Sequence, residues 1–385
     1  MQRTANIKYW LALHFIDDLG SVGIKNLVAL CGSPRAVFDA TDKDLLKVPR
    51  LTRKAMWGIR NFSDWRRVDK ELEYAERFNA RIVTSNDNEY PQLLRNIYDF
   101  PPLLYVKGQL SPNDINIAVI GSRAASAYGR FMTERLCRDL VWHGITVVSG
   151  MARGVDSAAH RGALGGKGRT IAVLGSGIDV VYPPENRKLC EEIAAHGAVI
   201  TEYPFGTEPR GPHFPQRNRI ISGLSLGVVV VEASMKSGSL ITARLALEQG
   251  KEVFAIPGNI DSPGSKGTHK LLKEGAKLVE SIDDILEEIA PQIDISCRMS
   301  APESSGSSNG NPIREHATPD ARHTPPSVSD EELVVLKLLG TQPIYIDNLI
   351  RTSGYHPNRM LSILLSLELK GYIQQLPGKR FISKE

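Results

Sequence analysis

Cysteine is scarce in this sequence, long apolar runs are missing and neither sign of charge dominates. Each shortage closes a class of function. The four cysteines, Cys31, Cys137, Cys190 and Cys297, lie far apart among 385 residues, so they form neither a CxxC clamp nor a compact disulfide framework. Reduced thiols and a cytoplasmic location are expected. The longest apolar run, Val228 to Val231 with its neighbours, is far short of the ~20 residues that cross a bilayer, and no membrane partner is expected. The apolar patch Tyr9 to Ile16 is interrupted by His14 and followed by Asp17 and Asp18, without the small-residue cleavage site of a secretory signal. Lys+Arg 47 against Asp+Glu 43 leaves a net charge of +4, which permits an anionic partner without requiring one.

Cofactor and metal signatures are missing as well. Gly175-Ser176-Gly177-Ile178-Asp179-Val180 lacks the third glycine of a dinucleotide loop, and the run around Gly166-Lys167 ends in Gly168 where a P-loop needs Ser or Thr. The nine histidines are scattered, with no HExxH and no paired His/Cys spacing, so neither a metal nor a cofactor is expected. Gly223-Leu224-Ser225-Leu226-Gly227 fits the GxSxG pattern, but it precedes a strand instead of joining a strand to a helix, and is a chance match.

What is present is the composition of an ordinary globular chain, 42% hydrophobic and 23% charged, long enough for two or three domains. Residues 1–80 carry helical periodicity. Two segments there, Ser21 to Lys25 and Pro49 to Lys54, are similar to helix-hairpin-helix turns, although Ser21, Arg50 and Thr52 replace the usual glycines. A DNA contact and a plain packing module both remain open for this region. From Ile115 the pattern changes to continuous apolar β-branched runs: Ile117 to Ile120, Ile145 to Val148, Thr170 to Leu174, Ala198 to Ile200, Val228 to Val231 and Val253 to Ile256. Continuous apolarity marks strands buried on both faces, hence an α/β, Rossmann-like, doubly wound parallel sheet. Ile82 to Thr84 and Leu103 to Val106 extend it at an edge, giving a domain over 81–290. Residues 291–328, rich in Ser, Gly, Asn and Pro beyond Ser300, are expected to be a flexible linker. In 329–385, helix starts at Ser329, Asp347 and Pro357 and a hairpin around Pro377-Gly378 predict a winged helix. Its recognition segment, Pro357 to Leu369, offers Arg359 but little other positive charge, so protein binding competes with DNA reading.

Ligands of an open parallel sheet sit at the carboxyl ends of its strands. There the sequence places Gly121-Ser122-Arg123, Ser149-Gly150-Met151-Ala152-Arg153-Gly154, Gly175-Ser176-Gly177 and Ser237-Gly238-Ser239. Small residues at such turns expose backbone N–H groups beside helix N-termini, and an anion site follows. In His213 to Gly223 an aromatic stands beside clustered Arg and Asn, the combination that single-stranded nucleic acid needs. The same segment admits a structural reading, with Phe214 in the core and Arg217 or Arg219 paired to Glu202 or Glu232.

This ordered series resembles the bacterial DNA-processing protein A family (DprA, also called Smf). It continues through Val155-Asp156, Ala159-His160, Tyr182-Pro183, Asn186, Phe214-Pro215, Arg217-Asn218-Arg219-Ile220-Ile221, Val230-Val231-Glu232-Ala233, Leu240-Ile241-Thr242-Ala243 and Ile256-Pro257-Gly258. The resemblance implies a non-enzymatic protein that binds single-stranded DNA, protects incoming strands in natural transformation and recombination, and loads the RecA recombinase as a homodimer. It implies a DNA site formed by Gly121, Ser122, Arg123, Gly150, Arg153, Phe214, Arg217, Asn218, Arg219, Ser237, Gly238 and Ser239. In that site the arginines and turns hold phosphates, and Phe214 stacks on a base. Helices near Leu240 to Leu247 and Leu271 to Leu286 are candidates for the dimer and RecA faces. Two rivals stand beside this reading. One is a nucleotide-handling hydrolase using Glu202 or Glu232, although its PGGxGT turn is replaced here by Ser237-Gly238-Ser239-Leu240-Ile241-Thr242. The other is a winged-helix regulator that senses a nucleotide.

Overall fold

Six helices open the chain: α1 (Gln2–His14), α2 (Ser21–Cys31), α3 (Pro34–Asp39), α4 (Asp42–Leu45), α5 (Arg53–Arg60) and α6 (Trp65–Arg77). Side-chain caps fix several starts: Ser33 accepts from the Ala36 amide, Thr41 from Asp44, Thr52 from Ala55 and Asp64 from Arg67. Each satisfies an N–H that the first turn leaves open. The computed structural model describes residues 2–299 and 330–339, and parts of 344–383. Of the two hairpin-like segments, Ser21 to Lys25 is the first turn of α2 and not a loop. Pro49 to Lys54 does turn, with Arg50 in the left-handed region at φ 63° where such hairpins carry glycine.

The helices of residues 1–80 share a core with the sheet that follows. Trp10, Leu13, Ile24, Leu27 and Val68 are buried in one cluster with Leu103, Tyr105, Leu174 and Val199. Phe205 stacks on Phe78 and meets Tyr105 edge-on, and its amide donates to Glu71 Oε1 at 2.8 Å.

The sheet strands are β1 (Arg81–Thr84), β2 (Leu103–Gly108), β3 (Ile115–Ile120), β4 (Ile145–Ser149), β5 (Thr170–Val173), β6 (Ala198–Thr201), β7 (Gly227–Val230), β8 (Glu252–Ala255) and β9 (Lys277–Leu278). Helix α7 (Gln92–Arg95) lies between β1 and β2. The crossovers are α8 (Ala127–Trp142), α9 (Val155–Gly165), α10 (Arg187–His196), α11 (His213–Gly223), α12 (Ser239–Glu248) and α13 (Lys266–Lys273), and α14 (Asp283–Met299) follows β9. Strand order is β1-β2-β6-β5-β4-β3-β7-β8-β9. Neighbours from β6 to β9 pair in parallel; β1 and β2 form the edge expected from Ile82 and Leu103, and the structure pairs them antiparallel. Every residue of β4 and β7 is buried, as continuous apolar runs require. From β3 the chain winds outward through β4, β5 and β6, then returns to the other side of β3 for β7. The ends of β3, β4 and β7 therefore meet at a topological switch point.

Two expectations along this segment change. Leu271 to Leu286 is not one helix, because α13 stops at Lys273 and Lys277-Leu278 pairs with β8 before α14 begins. Helix α14 runs through Pro291 to Met299, past the expected linker start at 291; residues 300–328 of that linker lie outside the described residues. Ser225 of the GxSxG match is buried, with its hydroxyl donating to Ile221 O at 3.0 Å, ahead of β7 rather than on an elbow.

Contacts divide the chain into Met1–Glu303 and Ser304–Glu385. In the second unit α15 (Asp330–Leu338) precedes a three-stranded sheet of β10 (Ile344–Tyr345), β11 (Ile373–Leu376) and β12 (Arg380–Ser383) in the order β10-β12-β11. β11 and β12 form the wing hairpin. Met360, Ile363, Leu364 and Leu367, helical and spaced to share one face, are buried with Val335, Leu349 and Phe381, completing a winged helix. Arg359 lies outside the described residues.

Candidate functional site

The turns after β3 and β4 interlock. Val155 at the start of α9 donates its amide to Ser122 O at 3.1 Å, and Gly154 makes the approach in a left-handed conformation, φ 76°. A Cβ on Gly154 would overlap the carbonyls of Ser122 and Arg123, and one on Gly121 would come within 2.6 Å of Val155 Cγ2. Opposite these turns stand α11 and the Ser237-Gly238-Ser239 turn that begins α12. Together they enclose an open cavity of about 570 Å³, lined by Gly121, Ser122, Arg123, Phe214, Asn218, Ser237, Gly238 and Ser239 among others. Gly150 and Arg153 border a smaller recess beside it, shared with Arg123, Tyr182 and Phe214.

Arg123 is the exposed cation of this cavity. Its guanidinium lies 5.2 Å from the centre of the Phe214 ring, and the Tyr182 ring meets Phe214 at 5.7 Å between centroids, tilted 42°. A charge and two tilted aromatic rings thus sit together at an open mouth, able to receive a phosphate and a base side by side. Arg153, at the rim, is exposed and paired with Glu185 at 2.5 Å. The Ser237 and Ser239 hydroxyls are 2.7 Å apart.

Arg217 departs from the expected role of phosphate holder. Its side chain lies in the cavity floor at 3% exposure, and Nη1 donates to Gly150 O at 2.7 Å and to Val173 O. A Cβ on Gly150 would fall 2.7 Å from both Arg217 Nη atoms and from Asp156 Oδ2, so the absence of a side chain there is what lets both groups approach this turn. Burial lowers Arg217 to about 10, opposed by Asp156; burial likewise raises Asp156, opposed by Arg217. Arg217 thus ties the ends of β4 and β5 together. Arg219 is placed outside the cavity, bound to Glu202 at 2.5 Å and to Asp99 at 3.3 Å. Here the structural alternative for the segment holds for Arg219, whereas the carboxylate beside Arg217 is Asp156, which sequence reasoning had not paired with it.

Neither acid of the hydrolase rival lines the cavity. Glu202 is occupied by Arg219, and Glu232 accepts from the Ser126 amide at 2.9 Å and from its hydroxyl, fixing the start of α8. Asp156 does line it, but buried near Arg217 and accepting from the Ala152 amide at 3.3 Å. Two further motif positions are structural. Asn186 donates to Met151 O and Ser157 Oγ at 2.9 and 2.8 Å, bracing the turn after β4. Thr170 Oγ1 gives its proton to Val147 O at 2.8 Å, so at 2.7 Å it accepts from His160 Nδ1, and the buried imidazole is neutral. Thr242 and Ile241 of α12 complete the wall; nothing in their residue type marked them.

A family model for the DNA recombination-mediator protein A matches residues 81–290, and one for the DprA winged helix domain matches 319–379. The chain is 39% identical over 316 residues to Protein Smf of Escherichia coli (strain K12), covering 81% of this chain and 79% of that one. To DNA processing protein DprA of Streptococcus pneumoniae (strain ATCC BAA-255 / R6) it is 49% identical over 203 residues, 52% of this chain and 72% of the relative. The X-ray structure of DNA processing protein A from Streptococcus pneumoniae superposes with a TM-score of 0.66 at 38% identity, covering 73% of this chain and 97% of that one. DNA processing protein A from Helicobacter pylori, described for its unique single-stranded DNA binding mode, superposes at 0.50 with 32% identity over 55% and 97% of the two chains. The first family match covers more than half of the chain and falls on the segment that builds the cavity, and this chain belongs to the DNA recombination-mediator protein A family.

Proposed function

We propose that this protein binds single-stranded DNA in the cavity at the ends of β3, β4 and β7, without catalysis, and presents the bound strand to the RecA recombinase during transformation or recombination. The observation that carries the DNA site is Arg123 lying against the ring of Phe214 at an open mouth. Ring stacking tolerates any base, and a guanidinium beside it supplies a phosphate partner, so binding is sequence-tolerant and salt-dependent. The turn amides and the hydroxyls of Ser122, Ser237 and Ser239 supply further donors. The acids that a hydrolase would use are engaged in structural pairs, which favours binding over turnover. RecA loading and the homodimer rest on family membership. Ile241 and Leu247, exposed on α12, support an interface near the expected helix, and sedimentation of Leu247→Glu against wild type tests it.

Fluorescence anisotropy of labelled oligo-dT across a salt titration tests the DNA site. Phe214→Ala is expected to weaken binding by about 1–3 kcal/mol, and Arg123→Ala to weaken it while reducing the salt slope by about one. Equal binding of duplex and single strands, or variants indistinguishable from wild type, would return the cavity to a mononucleotide ligand. For RecA, the expected outcome is that wild-type protein hastens filament growth on coated single strands and the Arg123 variant does not.

A further inference from the structure

Helix α8 leaves the crevice at Ser126 and turns its two sides to different surroundings. Gly129, Thr133, Leu136, Cys137 and Leu140 are buried against the sheet and α9. On the opposite side Tyr128, Phe131, Arg135, Arg138 and Trp142 follow one another in steps of three and four, and all five are exposed. The rings of Tyr128, Phe131 and Trp142 are 60, 63 and 67% exposed, in a chain where aromatics make up only 6%. Arg161 and Lys167, exposed on and just after the neighbouring α9, add charge of the same sign. Arg135, Arg138, Arg161 and Lys167 have no ion-pair partner among the described residues. Glu134 and Asp139 are half-buried at the flanks of the stripe.

We propose that this outer face of α8 is a second contact for single-stranded DNA, a track that carries the strand away from the Arg123 cavity. The inference rests on the DNA reading of that cavity. Arg123 lies five residues before Tyr128, so cavity and stripe are continuous along the chain. From Tyr128 to Trp142 the stripe is about 21 Å long at 1.5 Å per residue, the rise of about six stacked nucleotides. Its apolar content is entirely flat rings, with arginines between them and no aliphatic side chain. That composition offers bases a stacking surface and phosphates a partner at intervals; aromatic and arginine side chains serve protein interfaces as well, and it is the continuity with the Arg123 cavity and the unpaired positive charge that favour the strand. Glu232 occupies the first turn of α8 from the buried side, so phosphates are not drawn to the helix end and pass along the outer face.

The test uses the full-length protein and labelled oligo-dT of about six and about twenty nucleotides, the range over which single-strand sites extend. Phe131→Ala/Trp142→Ala and Arg135→Gln/Arg138→Gln alter exposed side chains, and a thermal melt checks that both variants fold like wild type. Both are expected to bind the short oligonucleotide as wild type does and the long one roughly tenfold more weakly, the arginine pair with a salt slope smaller by about two. Arg123→Ala weakens both lengths. Stripe variants that bind the long strand like wild type overturn the track and leave the cavity reading intact. The same result accompanied by altered sedimentation overturns it in favour of a protein interface. If wild type binds neither length, or Arg123→Ala changes neither, the cavity reading fails and the track with it.

Discussion

Arg217 joins the ends of β4 and β5 through Gly150 O and Val173 O and places its positive charge near Asp156 beneath the cavity. Arg217→Ala removes this donor from the Gly150 and Val173 carbonyls and the nearby positive charge from Asp156, and a stability loss of about 1–3 kcal/mol is expected in denaturant unfolding. Arg123→Ala, at an exposed position, shifts stability by no more than about 0.5 kcal/mol. The sequence names both arginines for the same role, because residue type and proximity to a strand end are shared. What separates them is helix phase: Arg217 stands three and four positions before Ile220 and Ile221, on the stripe of α11 that faces inward. That signal was legible, but it competes with the expectation that arginine seeks water, and only the partner Asp156 decides it. His160 gives a second test at this scale. Buried and neutral, it is lowered from 6.5 to about 3 by burial and then by Arg217. As pH falls below 6.5 the unfolded chain takes up a proton that the folded chain refuses, so stability is lost at up to about 1.4 kcal/mol per pH unit. Burial raises Asp156 and Glu202, a shift whose effect on stability as pH falls has the opposite sign. Comparing melts of wild type and His160→Asn between pH 6.5 and 5 isolates the histidine: the variant is expected to show the shallower decline by about 2 kcal/mol at pH 5.

The interlock of the β3 and β4 turns sets where Arg123 starts its reach into the cavity. Gly154→Ala forces a Cβ into a left-handed conformation against the Ser122 and Arg123 carbonyls, so the turn after β3 is displaced. A cost of about 1–3 kcal/mol for the backbone alone is expected, together with weaker oligo-dT binding at unchanged helical circular dichroism. Unchanged affinity would mean that the turn moves as a body with its arginine. The strands themselves were legible, since a run such as Gly227 to Val230 buried on both faces admits few other structures. Contacts between turns were not legible, because Gly154 and Ser122 meet only after the α8 crossover has laid β4 beside β3 in register. Helix α14 overran its expected end for a related reason: a proline inside a helix marks a probable boundary in sequence, yet α14 continues through Pro291.

Across the first unit the helices of residues 1–80 and the sheet bury one another, through Phe205 between Tyr74, Phe78 and Tyr105. Residues 1–299 are therefore expected to melt in one transition, and Glu71→Leu, which strips the Phe205 amide of its acceptor, is expected to lower that transition as a whole. Two separated transitions by calorimetry would show that the helices hold together alone. The periodicity of each part was readable, but the shared core was not, since Phe205 lies outside both patterns. The two ends of the nine-stranded sheet are unlike its interior. At one end β9 has two residues, and Lys277 is tethered by Glu287 and Glu288 on α14. At the other, β1 has four residues and is contacted by α1 and α6. A sheet of such apolar strands would otherwise be a template on which further chains could assemble by main-chain pairing. Ended in this way, it offers a neighbouring molecule almost no free edge to copy, and copies of the chain held close together are kept from associating through their cores.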